Sequence, residues 1–413
     1  MAQDFSLRDK LTLLKRAPAQ SIADSEPVPS VAVAEAVQRL RVGKSPAPLL
    51  SRTLPDTQLA AALGARCLAP GVLLCEKIFP LAAQHGSGNF AAAVQTSLVD
   101  WLAVDVDYAQ WVFVDTETTG LAGGTGTIAF LLGAARFIAG ELVVRQYLLN
   151  GFAGESALLA DFAAWLPDNP VLISYNGKSF DAPLLSTRFR LMQLSDPMAL
   201  AHHVDLVHAT RRAFGGLWPD CRLTTVEKML LGVQRIDDIP GADIPQIWFD
   251  LVRFGQLRQM PNVLQHNLLD LLSLVTLLPA LEATLSQRSS VTANRAAIAR
   301  HHARSGRADK ALQHLLEHRE LLDPAGLFTL ASLFAKRGDY AEAVALWREL
   351  ADGNHVEALL VWAKYAEHVE KDFALALQLA ERLQHLLPDE KAHAQRIARL
   401  RRKTTRLRHN HSS

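Results

Sequence analysis

The sequence predicts an α/β domain, built as a mixed sheet flanked by helices, followed by an all-α helical-repeat domain. Three observations carry this. Short apolar or β-branched runs occur at Trp111–Val114, Thr127–Leu132, Leu142–Leu149 and Val171–Tyr175. Helix-spaced segments at Glu155–Leu166 and Asp181–Leu191 interleave with the later runs. Strands in succession, then strands alternating with helices, is the pattern of a mixed sheet covered by helices. Finally, from residue 291 the texture turns to Ala- and Leu-rich helices, and a short block recurs.

Taken in chain order, residues 1–70 are expected to be poorly ordered or loosely helical. Ser6–Asp9 can cap a short helix ending near Ala17-Pro18, and Ala32–Leu40 offers a second within the Pro-, Ala- and Ser-rich stretch Ser21–Pro48. Gly71–Cys75, running on to Ile78-Phe79, reads as the strand that opens the α/β domain, placed at 71–285. The blocks Gly306–Ala311, Gly338–Ala343 and Lys371–Ala376 recur at offsets of 32 and then 33 residues. That period is close to tetratricopeptide repeats, whose helix pairs bury their faces only by stacking, so 291–391 is read as tetratricopeptide-like; a plain helical bundle is the alternative. Residues 392–413 form a basic tail with seven Lys/Arg and no acid. It could track a phosphate backbone, or be a solvated helix end.

Composition excludes several classes. With 43 basic and 42 acidic side chains the formal charge is +1, which argues against a histone-like protein and leaves a local basic groove open. Three cysteines, Cys67, Cys75 and Cys221, give neither a disulfide framework nor CxxC zinc spacing. The N-terminus lacks the apolar core of a secretory signal, and the most apolar stretch, Leu268–Leu281, is short for a bilayer and contains Asp270. A soluble, cytoplasmic chain without membrane contact is the expectation.

The acids carry the chemistry. Asp115 and Glu117 directly follow an apolar strand, and alternation puts residues two apart on one side of it. Paired carboxylates there suit a hard divalent cation, although a DxE alone also fits a solvated turn. Asp181 follows a strand and a Gly177 turn; before Ala182-Pro183 it would equally serve as a helix N-cap. Asp270 is an uncompensated carboxylate opening an apolar helix, with His266 four residues earlier on the same face.

Together these strings resemble a known set. Asp115-Thr-Glu-Thr-Thr-Gly-Leu121, Asn176–Asp181 and the His266/Asp270 pair match the three exonuclease motifs of the DEDD family, which has the ribonuclease H-like fold. The YprB-like branch is the closer match, through Gly120–Gly126, Ser174–Lys178, His203–Leu206 and Asp238–Gly241, over roughly residues 110 to 282. The resemblance implies that Asp115, Glu117, Asp181 and Asp270 hold two divalent cations, Mg²⁺ or Mn²⁺, flanking an in-line displacement by water. It implies His266 as general base. Family members with a histidine base place it five residues before the last Asp, whereas here Gln265 stands there and His266 has the spacing of the tyrosine variants. A helix-start histidine satisfied locally is the competing reading.

We expect Thr118, Asn176 and Lys178 to contact substrate. Lys178 and Arg188 could touch phosphates or be solvated, and Asp205 either extends the acid cluster or, preferably, caps the helix Leu206–Phe214. Gly120–Gly126 reads as a tight turn rather than a phosphate loop; His202, His203 and His208 have no zinc geometry with the cysteines. Leu268, Leu271, Leu272 and Val275 are core. The function implied is a metal-dependent 3′-to-5′ exonuclease acting on a single-stranded end of DNA or RNA, with a protein partner on the repeats. Alternatives are a non-catalytic nucleic-acid or protein scaffold on the same fold, or a chain whose main business lies in the repeats.

Overall fold

In the computed structural model the strand that carries the first two acids lies inside a seven-stranded sheet, with strands paired on both its edges. The described residues are 54–98, 106–120, 126–199, 201–286 and 291–410, with side chains described as far as 405. The helices expected before residue 50, and part of the glycine-rich turn, lie outside them.

Among the described residues nine strands occur in chain order: β1 (Arg66–Ala69), β2 (Val72–Pro80), β3 (Gln84–His85), β4 (Gly88–Asn89), β5 (Trp111–Thr118), β6 (Ala129–Ile138), β7 (Glu141–Leu149), β8 (Val171–Ser174) and β9 (His202–Asp205). Seven make one sheet in the order β1-β2-β7-β6-β5-β8-β9, and β3 pairs with β4 apart from it. Pairing is antiparallel from β1 to β5 and parallel from β5 through β8 to β9. The change of sense therefore falls at β5. Ligand sites in open sheets collect at the carboxyl ends of strands where connectivity changes direction.

The helices of the α/β domain are α1 (Asp56–Leu63), α2 (Phe90–Val94), α3 (Glu155–Trp165), α4 (Asp181–Leu191), α5 (Leu206–Phe214), α6 (Leu223–Val226, continued by a π turn Glu227–Leu231), α7 (Ile244–Phe254) and α8 (Met260–Leu285). Alternation along β5 divides the core. Val112 and Val114 pack with α3, α4 and α7 on one face, through Phe162, Leu185 and Trp248. Trp111 and Phe113 pack with α2, α5 and α8 on the other, through Phe90, Phe214 and Leu271.

Helix α8 runs 26 residues, well beyond the expected 268–281, and by length and composition it could cross a bilayer. Its most apolar window is 67% buried within the domain, where Leu268, Leu271, Leu272 and Val275 are core as expected.

Six further helices, α9 (Arg295–Arg304), α10 (Ala308–Leu316), α11 (Pro324–Arg337), α12 (Tyr340–Asp352), α13 (Val356–Tyr365) and α14 (Phe373–Leu386), stack around one continuous core containing Leu315, Phe334, Trp347, Leu359 and Leu383. The recurring block has a structural cause. Gly306, Gly338 and Lys371 all adopt positive φ, at 76°, 94° and 61°. Each turns the chain out of one helix towards the next, a conformation glycine adopts without the steric penalty that Lys371 bears. The basic stretch forms α15 (Lys391–Asn410). Its Leu400 is buried with Ala366, Ala376 and Ala380, and its Arg399, Lys403 and Arg396 reach buried Glu367 at 2.8, 3.0 and 3.4 Å. Burial alone would raise the Glu367 pKa; the hydrogen bonds from Arg399 and Lys403 outweigh it and hold the group at about 2.

Candidate metal-dependent active site

Beyond Val114, β5 keeps its pairing with β6 as far as Thr118, so its polar end inherits the alternation of its apolar start. Asp115 and Glu117 fall on the α8 face. Asn267 Nδ2 donates to Asp115 Oδ2 at 2.8 Å, and His266 Nε2 lies 3.9 Å from Glu117 Oε1. Thr116 falls on the opposite face and donates its hydroxyl to Asp181 Oδ1. Asp181 is the first residue of α4; the preceding Phe180 is the N-cap position and makes no side-chain cap bond. The carboxylate is therefore engaged across the sheet end rather than in capping.

Asp270 lies on α8 one turn beyond His266, its Oδ2 3.4 Å from His266 Nε2. Donor atoms of Glu117, His266 and Asp270 all lie within 4.8 Å of one another, the one such grouping of metal-ligating side chains among the described residues. Asp270 is not uncompensated, as the sequence implied. Arg235 donates to its Oδ1, and the same guanidinium donates to Glu227 at 2.6 and 2.7 Å and to Asp238 at 3.0 Å. Glu227 sits in the π turn and is only 1% exposed. Ser273 also donates to it, at 2.6 Å.

His266 is held by its other nitrogen. Nδ1 lies 2.8 Å from Asp238 Oδ1, while Arg235 Nη1 is farther off at 3.4 Å. The short contact to a carboxylate fixes the ring's orientation, and Nε2 on its far side faces Glu117 and Asp270. Gln265, at the position five before the last acid, is exposed. In this helix the spacing of four is the one that points inward.

Burial and mutual repulsion dominate the electrostatics. Desolvation first, then the charges of Asp270, Glu117 and Asp181, pushes the Asp115 carboxyl well above its ordinary range. Desolvation, Asp270 and Asp181 push Glu117 up to about 8. Asp181 rises to about 6 through desolvation, against the Thr116 hydrogen bond. Asp270 is raised by desolvation although Arg235 and His266 pull it down. At Asp238 desolvation is outweighed by the hydrogen bonds of His266 and Arg235, and its pKa falls. Converging hard oxygen donors whose charges repel at close range are the donor set a divalent cation fits.

The remaining expected contacts separate. Thr118 and Asn176 line a cleft of about 450 Å³ that also contains Asp115, Asp181 and Phe180, the last 58% exposed. Lys178 lines a different cavity. Arg188 is corrected outright: it is buried and paired with Glu155 at 2.5 Å, so no phosphate contact is open to it. Asp205 caps α5 through Val207 N–H at 3.1 Å, as preferred, and accepts from Asn176 and Lys178 N–H as well. His203 bonds Ser174 at 2.7 Å. Sequence reasoning missed Arg235, Asn267, Thr116 and Glu227, and gave Asp238 no role. Asp238 lay in a quoted motif, and Asn267 is three residues from Asp270 on the same helix face, so both had a signal.

The family model of the ribonuclease H superfamily matches residues 112–282, and a domain of that superfamily suggests a nuclease-type function. Divalent metals are typical of such nucleases. The chain is also 32% identical over 360 residues to "Uncharacterized protein YprB" of Bacillus subtilis (strain 168), covering 80% of this chain and 86% of that protein. It belongs to the same family as that protein.

Proposed function

We propose that the chain is a metal-dependent exonuclease that hydrolyses phosphodiester bonds of DNA or RNA from a single-stranded 3′ end. The observation that carries this reading is the convergence of the Glu117 and Asp270 carboxylates on Nε2 of His266, itself held by Asp238, with Asp115 and Asp181 near enough for their charges to act on one another. Asp115, Glu117, Asp181 and Asp270 would hold two cations, Mg²⁺ or Mn²⁺. When bound, these supply the charge that stabilises the attacking and leaving oxygens.

The chain's own groups do the rest. His266 Nε2 accepts the proton of the attacking water as its oxygen bonds to phosphorus, and Asp238 stabilises the resulting imidazolium. The P–O3′ bond breaks, and solvent reprotonates the 3′-oxygen. Asn267 fixes Asp115 and Thr116 fixes Asp181, so two carboxylates keep their orientation. Thr118 and Asn176 contact the terminal nucleotide in the cleft, which has the volume of a small-molecule site. The stacked helices would bind a protein partner in the groove between Arg300, Phe328 and His355.

The test uses end-labelled single-stranded and duplex DNA and RNA with Mn²⁺ or Mg²⁺, beside an Asp115→Ala/Glu117→Ala variant. Metal-dependent stepwise shortening from the 3′ end, lost in the variant, is the expected result. Equal shortening by both proteins, or none by either, sinks the reading.

A further inference from the structure

A second cavity, of about 160 Å³, lies between the catalytic domain and the first repeat helix. Helix α9 closes one side of it. The Asn294 N–H donates to the Ala213 carbonyl of α5 at 2.6 Å, and Ile298 is buried in the catalytic-domain core, so the seam is packed. The cavity adjoins the acidic site through one loop. A Cβ on Gly177 would stand 2.8 Å from Asp181 Oδ2, while the next side chain, Lys178, lines the cavity. A single turn of chain thus faces both.

The lining is cationic. Lys178 and Arg212 contribute fixed positive charge, and His208 and His301 lie beside them. Of the two acids in the wall, Asp205 and Glu282, the first is committed to three backbone N–H groups. Arg212 is half-buried at the end of α5 and has no carboxylate partner among the described residues. Burial, then the like charges of Arg304 and Arg307, lowers its pKa, and burial with Arg212 brings His301 down to about 4. A sheltered guanidinium among like charges is costly unless an anion neutralises it. The imidazoles do not form a metal site, since the one metal-ligating group among the described residues is that of Glu117, His266 and Asp270. A cavity of about 150 Å³ accepts a benzene-sized guest, so this one has room for a phosphate with part of its sugar and not for a stack of bases.

We infer that the cavity is an anion subsite that takes a backbone phosphate of the single nucleic-acid strand whose end lies at the four acids. This rests on the nuclease reading for its ligand. Contacts of this kind position a strand without reading its sequence.

The test measures binding separately from hydrolysis. The full chain carrying Asp115→Ala and Glu117→Ala binds a fluorescent single-stranded oligonucleotide in EDTA over a salt series, alone and with Arg212→Gln, Arg212→Lys or Lys178→Gln added. Arg212→Gln and Lys178→Gln are each expected to weaken binding several-fold and to flatten the log–log salt slope by about 0.7, the value for one phosphate on a single strand. Arg212→Lys retains most of the affinity, which separates lost charge from lost folding. Unchanged affinity and slope in both Gln variants overturn the subsite. Calorimetry with inorganic phosphate and a nucleoside 5′-monophosphate distinguishes the source: if these bind through Arg212 while the oligonucleotide does not depend on it, the strand assignment falls. Arg212-dependent strand binding by a chain whose unmutated form hydrolyses nothing would refute the nuclease and keep the subsite; hydrolysis with Arg212-independent binding does the reverse.

Discussion

Replacing Glu117 by Gln tests the electrostatics of the site without relying on activity. Burial beside Asp270 and Asp181 moves the Glu117 carboxyl from 4.5 to about 8. A raised carboxyl binds its proton in the folded chain at pH values where the unfolded chain has lost it. Between about 4.5 and 8 the folded state therefore holds more protons, and stability falls as pH rises through that window. At 1.36 kcal/mol per pH unit the interval sets a ceiling of about 5 kcal/mol, and relaxation of the site leaves about 2–3 kcal/mol as the working figure. Glu117→Gln keeps the shape and removes the titration. In EDTA its urea denaturation should vary less between about pH 5 and about pH 8 than that of the unmutated chain, and at the upper end it should be the more stable protein. Divalent cation should reverse the order, because a ligand at 100 times its Kd adds about 2.7 kcal/mol to the chain that binds it. Equal pH dependence of the two proteins, or a metal-free chain that gains stability from pH 5 to 8, would refute the reasoning.

Three further outcomes follow from single contacts. Asp238→Asn removes the carboxylate that fixes the His266 ring orientation, and should lower kcat by about 10–100-fold with KM little changed; an equal rise in KM would mean a substrate contact instead. Arg235→Met leaves Glu227 buried without its cation and should cost about 3–5 kcal/mol in urea unfolding, partly recovered by Glu227→Gln; a cost under about 1 kcal/mol would show that the network is not structural. Gly133→Ala places a Cβ 2.2 Å from Asn267 Oδ1. Asn267 is fully buried and is also bonded by Gln146, so it cannot yield freely. Stability should fall by about 1–3 kcal/mol, and activity with it as Asp115 loses its donor; wild-type activity in that variant would remove Asn267 from the site.

The parts of the fold legible in the sequence are those whose side chains alone specify them. Val171–Tyr175 and Leu142–Leu149 are apolar and β-branched, and both form strands within a residue of the expected limits. β5 continues four residues past its expected end because backbone pairing with β6, not side-chain character, carries Asp115 to Thr118. β9, His202–Asp205, has little strand signal of its own and exists through parallel pairing with β8. α8 begins eight residues before the apolar run, because its first turns face the acids and therefore carry His266 and Asn267. Arg235 was illegible for a different reason. It lies in a loop, 35 residues before the Asp270 it bonds, and no local period connects the two.

That arginine also divides the site. It contacts Glu227, Asp238 and Asp270, and it tempers Glu117 from a greater distance. Asp115 and Asp181 receive no comparable help: their bonded side-chain partners are the neutral Asn267 and Thr116, and their carboxyls are raised. Neutral donors orient a carboxylate without neutralising it. On the α8 side Arg235 thus offsets part of the negative charge, although Asp270 and Glu117 stay raised, whereas at the end of β5 and the start of α4 no arginine bonds the carboxylates at all.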